Sequence, residues 1–125
     1  MSSTAYRRRK DRHVTIDQDI VVLVNFGSSG SVRGIHPALV MSQCTKKGDL
    51  RLLVIPLFRS ESYSTKTASV KIRQIDCRQL RYEMYANPMM LQSISTDRII
   101  RRVGNVSNDA IHKELEKLLW EEVSA

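Results

Sequence analysis

The sequence predicts a small, mainly β domain, a barrel or curled sheet, closed by one C-terminal amphipathic helix. Three observations carry that prediction. Short β-branched apolar runs bounded by turn formers recur along the first hundred residues, no long helical period interrupts them, and a clear helical period begins after residue 107. A length of 125 residues fits one domain and excludes an enzyme with separate cofactor and substrate halves. Apolar content of 42% and a mean hydropathy of −0.29 describe a globule able to bury a modest core.

The elements follow in order. Residues 19–26 (DIVVLVNF) form a continuous apolar run stopped by the Gly/Ser-rich stretch at 27–31, the pattern of a strand buried on both faces. Residues 37–42 (PALVMS) give a second strand, ended by Lys46, Lys47, Gly48 and Asp49, and residues 50–58 (LRLLVIPLF) a third. Pro56 cannot donate to a ladder, so that part of the third strand is expected at an edge or at the strand's exit. Residues 67–73 alternate weakly as a half-exposed fourth strand, and 89–94 and 101–106 are shorter candidates. Residues 74–85 lack a strand period and suggest a helical turn around 78–82, after which Asn87-Pro88 turns the chain. The stretch opened by Ser95, Thr96 and Asp97 reads as a capped single turn between two strands. A helix is expected over about residues 107–123, with Ser107 as its N-cap and Ile111, Leu115, Leu118, Leu119 and Val123 as its apolar stripe. Trp120, beside that stripe, is expected in the core or at an interface.

Charge is distributed unevenly. The 20 Lys and Arg against 13 Asp and Glu give a formal +7, of which +4 falls in residues 7–12, +6 in residues 14–106 and −3 in residues 107–125. Residues 1–13 are therefore expected to form a basic, mobile arm, with Arg7, Arg8, Arg9 and Lys10 able to grip phosphates without reading bases, and residues 14–125 a single domain. A basic domain surface attracts polyanions and gains from counterion release at their phosphates.

Several chemistries find no support in the pattern. His13, His36 and His112 are scattered, with no metal-ligand spacing, so neither a metal nor a cofactor is expected. The glycine-rich stretch is not followed by the Lys-Ser/Thr pair of a nucleotide phosphate loop, and no nucleophile elbow is present. Cys44 and Cys77 have no close companion and read as reduced thiols. No apolar run is long enough to span a bilayer and no secretory leader is visible, which points to a cytoplasmic protein without membrane contact.

Specific stretches carry the reading further. Residues 18–27 (QDIVVLVNFG), the Gly/Ser loop, and residues 34–42 (GIHPALVMS) resemble the opening of the PemK/MazF toxin family. That family begins with a strand starting G-D-I/V, then a glycine-containing loop, then G-x-R-P-A/V-L-V-I/L-S. Residues 52–57 (LLVIPL) look like the family's third strand, V-x-x-P-I/L-T-S. Residues 90–107 (MLQSISTDRIIRRVGNVS) are similar to its Q-I-R-S/T-I/V-S/D-x-x-R-I/L segment, which precedes a final helix. The resemblance covers about residues 17–123 in the right order. It implies an SH3-like small β-barrel of the PemK/CcdB kind that forms a homodimer and cleaves single-stranded RNA as a metal-independent endoribonuclease. It also implies an acidic antitoxin protein as partner, with operator DNA reached only through the antitoxin complex.

This chain departs from the family at the positions that usually carry cleavage. His36 stands for the arginine before proline, Phe58 for the threonine, Gln92 for the arginine of Q-I-R and Met90 for its glutamine. RNA cleavage needs a base for the 2′-hydroxyl, a proton for the leaving oxygen and positive charge for the phosphorane. His36 is a competent acid or base near neutral pH; Arg33 and Arg59 are the candidate cations, Ser60 a donor to a phosphate oxygen, and Gln92 a nucleic-acid contact. A toxin-like endoribonuclease of preserved, weakened or lost activity is the first reading, and a non-catalytic nucleic-acid- or antitoxin-binding member of the same fold is the second. A purely structural barrel meeting an acidic protein is the third.

Overall fold

The computed structural model describes residues 4–8, 12–16, 19–59 and 69–124, with side chains at 19–59 and 69–121. Its main sheet contains strands β3 (Ile20–Asn25), β4 (Ile35–Lys46), β5 (Asp49–Phe58), β6 (Val70–Ile72), β7 (Met84–Ala86), β8 (Gln92–Ser95) and β9 (Ile99–Asn105). The order is β6-β7-β5-β4-β3-β9, with β8 also paired to β5, and every pairing is antiparallel. One helix, α1 (Asp109–Ser124), follows. This is the mainly β architecture with a C-terminal helix that the pattern predicts, although the sheet does not close. β8 and β9, on its two sides, are joined by the chain through a single 3₁₀ turn at Thr96–Arg98 rather than by a ladder.

The continuous apolar runs are explained by two cores on opposite faces of the same strands. Ile20, Val22 and Val24 of β3, Ala38 and Val40 of β4, and Leu52 and Val54 of β5 pack with Ile94 and Ile99. The alternate residues Val21, Leu39, Met41, Ile55 and Leu57 face a second cluster with Ile72, Cys77, Leu80, Met84 and Ala86, covered by Ile111 and Leu115 of α1. Register shifts between Val40 and Ser42 on β4, and at two places along β3 and β9, add the local twist that coils the sheet. Lys47 and Gly48, both at positive φ, make the two-residue turn between β4 and β5.

Several elements differ from the sequence reading. β4 is twice the expected length, because its β5 pairing continues to Lys46↔Asp49. Pro56 is fully buried two residues before the end of β5, near the strand's exit rather than at a sheet edge. It falls where β5 changes partner from β8, which ends opposite Val54, to β7, which begins opposite Leu57. Residues 74–82 form turns, not a helical turn, and the short strand β7 follows unannounced. The helix begins after Asn108, whose Oδ1 accepts from the Ala110 N–H at 3.0 Å, while Ser107 Oγ donates to the Asp76 carbonyl instead of capping. Trp120 is 72% exposed and belongs to no core.

The Thr4–Arg8 and Arg12–Ile16 backbones, read from sequence as arm and start of the domain, pair as β1 and β2 in a separate two-stranded ribbon. Cys44 and Cys77 are both free, and burial pushes the Cys77 thiol up. No described helix is long and apolar enough to cross a membrane.

Candidate nucleic-acid interface

The loop between β3 and β4 carries the first part of the site. Phe26 N–H donates to the Gly34 carbonyl and Gly34 N–H to the Gly27 carbonyl, each at 2.8 Å, so residues 27–34 project from a closed neck. Val32 is buried and pins the loop, while Asn25 Oδ1 accepts from the Gly27 N–H at 2.9 Å. Glycine suits position 27 because its φ is +84°, a conformation that L side chains rarely adopt; a Cβ there would also stand 3.0 Å from a terminal guanidinium nitrogen of Arg98, which could shift.

His36 is the second residue of β4, directly after this loop. Its Nε2 lies 2.7 Å from the Arg33 carbonyl oxygen. A carbonyl only accepts, so Nε2 carries the hydrogen and the neutral ring keeps its lone pair on Nδ1. The imidazole sits between Phe26, with ring centroids 6.1 Å apart, and Phe58, at 5.1 Å, both rings tilted by nearly 60°. Chain positions 36 and 58, far apart in sequence, thus meet at one end of the sheet. Phe58, however, offers His36 a ring edge or face where a hydroxyl would offer a hydrogen bond.

Phe26 also lines a polar groove of about 280 Å³ whose other walls are Asn25, Arg51, Gln92, Ser93, Ile94, Ser95 and Arg98. Arg51 and Arg98 are the charged residues of that lining, both cationic. Arg51 comes from β5 and is anchored by its Nε donating to Ser93 Oγ at 2.7 Å and a terminal N–H donating to the Ser93 carbonyl at 3.1 Å. Arg98 is set by the 3₁₀ turn Thr96–Arg98, which Ser95 caps through its Oγ to the Asp97 N–H. Arg guanidinium groups held in this way suit phosphate oxygens.

The residues named from sequence distribute as follows. His36 and Gln92 flank the groove through Phe26 and directly, respectively. Arg33 is exposed on the loop, its Nε donating to the Gly30 carbonyl at 3.3 Å. Arg59 is exposed just past β5, with its guanidinium 3.7 Å over the Tyr82 ring. Ser60, Arg9 and Lys10 lie outside the described residues, and Arg7 and Arg8 are described as β1 backbone alone. Sequence reasoning missed Arg51, Arg98, Ser93 and Asn25 as site residues; Arg51 and Ser93 meet only because the β5–β8 ladder brings those strands together. Among the described residues no group of three or more His, Cys, Asp or Glu converges as a metal site would.

A search of curated proteins returns no match. A comparison with protein families does: residues 17–120 match the PemK-like, MazF-like toxin of type II toxin–antitoxin systems. That span takes in the loop, His36, both groove arginines and most of the closing helix, and on this evidence the chain belongs to the PemK-like, MazF-like toxin family.

Proposed function

We propose that this toxin component is a metal-independent endoribonuclease that holds single-stranded RNA along the Arg51–Arg98 groove and uses His36 as its acid–base group. The observation that carries the reading is a cationic groove adjoining, through Phe26, a histidine whose Nε2 is committed to a carbonyl and whose Nδ1 is left as a base. In this scheme Nδ1 takes the 2′-hydroxyl proton and the 2′-oxygen attacks phosphorus. The P–O5′ bond breaks, and the leaving 5′-oxygen is protonated from solvent, giving a 2′,3′-cyclic phosphate and a 5′-hydroxyl. Arg33, Arg51, Arg59 and Arg98 supply positive charge to the phosphorane and its neighbours, with Gln92 and Ser60 as polar contacts. Removing one such acid–base group costs about 10²- to 10⁴-fold in rate.

The acidic antitoxin is the expected competitor for the same cationic groove, a homodimer the expected assembly, and the cytoplasm the expected compartment. Operator DNA enters only through the toxin–antitoxin complex. The basic residues Arg7, Arg8, Arg9 and Lys10 add sequence-independent phosphate contacts.

A second reading, RNA or antitoxin binding without cleavage, is favoured by one observation: the apolar ring of Phe58 against His36. Incubation of single-stranded RNA in EDTA separates the two. Ends bearing a 2′,3′-cyclic phosphate that disappear with His36→Ala support cleavage. Salt-dependent binding with intact RNA selects the second reading.

A further inference from the structure

We propose that Arg59 and Tyr82 form a stacking platform for one nucleobase of the bound RNA, a proposal that rests on the RNA-binding reading of the groove. Arg59 directly follows Phe58, whose ring packs 5.1 Å from the imidazole of His36, so the platform starts one residue along the chain from that ring contact. The Arg59 guanidinium carbon lies 3.7 Å from the Tyr82 ring centroid, the separation of two stacked planes. Arg59 is exposed, and Tyr82 remains 47% exposed in a bend rather than in a ladder. Among the described residues no carboxylate lies in ion-pair range of Arg59, so the ring is its described partner.

An exposed pair of this kind stabilises the fold little, and neither core uses Tyr82. Its shape fits a base better than other partners. Unstacked RNA bases lie on aromatic rings and on guanidinium planes, and here the two are already assembled just past the end of β5. A carboxylate of an acidic peptide would be drawn by the Arg59 charge and would gain nothing from the ring behind it. Stacking is tolerant of base identity, because every base presents a π-face. The platform therefore holds one nucleotide of the bound strand without selecting its sequence.

The test uses the whole chain and a short single-stranded RNA carrying 2′-O-methyl groups, which binds but has no free 2′-hydroxyl to react. Anisotropy titrations compare wild type with Tyr82→Ala and Tyr82→Phe. Tyr82→Ala is expected to weaken binding roughly 5- to 150-fold, as loss of one base–aromatic stack does, while Tyr82→Phe stays close to wild type. The slope of log K against log salt is expected to be the same for wild type and Tyr82→Ala, since no phosphate contact is lost. On a strand with abasic positions the Tyr82→Ala penalty is expected to vanish.

Tyr82→Ala binding within about twofold of wild type overturns the platform and leaves the groove reading intact. A penalty of unchanged size on the abasic strand overturns stacking as its cause. Weakening confined to an acidic peptide assigns the pair to the protein partner and overturns the proposal. Failure of wild type to bind the RNA at low salt removes the groove reading and the platform together.

Discussion

Asp76→Asn is an isosteric change that tests how the turn segment at residues 73–80 is tied to the start of α1. Asp76 is 5% exposed. Its Oδ2 accepts from the Arg73 N–H at 2.9 Å and from Arg73 Nε at 3.3 Å, and its Oδ1 from Asn108 Nδ2 at 3.3 Å. Burial alone would raise this carboxyl, but the Arg73 backbone N–H, the Arg73 guanidinium and the Asn108 amide together hold it below the usual range. An asparagine has one acceptor oxygen, so either the Arg73 side or the Asn108 side loses its acceptor and meets an NH₂ instead. One or two donors left unpaired at about 1–3 kcal/mol each, with the half-exposed guanidinium returned to water, gives a loss of about 2–4 kcal/mol at neutral pH.

The sign with pH follows from the depressed carboxyl. Its contribution is present above the unfolded value of about 3.9 and is lost as pH falls through the folded value. Urea unfolding of both proteins at about pH 7 and about pH 2.5 should show the gap between them narrowing in acid. A variant within about 0.5 kcal/mol of wild type at neutral pH, or a gap of the same size in acid, refutes the reasoning.

Gly104→Ala places a Cβ 2.3 Å from Gln79 Oε1, 2.7 Å from its Cδ and 3.0 Å from its Cβ. A loss of about 1 kcal/mol is expected in urea unfolding, and Gln79→Ala in the same chain should recover most of it. Asp19→Asn acts in the opposite pH sense to Asp76→Asn. Burial raises the Asp19 carboxyl against the pull of His112, whose Nδ1 is 2.8 Å away but off the line of a hydrogen bond. The stability Asp19 contributes is thus full below the unfolded value and lost as pH rises through the folded one, and asparagine tolerates its φ of 73°. Relative to wild type, the variant should gain on going from about pH 3 to about pH 7, read by the same unfolding assay.

The apolar runs at 19–26 and 50–58 made two strands legible because burial on both faces leaves nothing polar to interrupt them. The α1 stripe was legible for the complementary reason, a one-sided period ending in buried Ile111 and Leu115. β7 was not, since three residues paired to β5 and β6 have no period of their own and owe their conformation to those neighbours. The N-cap went to Asn108 because the Asp76 carbonyl, distant in sequence, claims Ser107. At the site, His36 and Phe58 stood out from the family pattern, and the fold brings their rings together. Arg51 carried no local signal. It reaches the groove only through the β5–β8 register, which no spacing along the chain encodes.

Under the proposed function, RNA is cut without a metal by His36, beside the cationic Arg51–Arg98 groove that it adjoins through Phe26. The most direct test is mapping the ends of single-stranded RNA incubated in EDTA with wild type and with His36→Ala. Fragments ending in 2′,3′-cyclic phosphate from wild type, formed about 10²- to 10⁴-fold more slowly by the variant, are the predicted result. RNA left intact by wild type, or cut equally by both proteins, contradicts it.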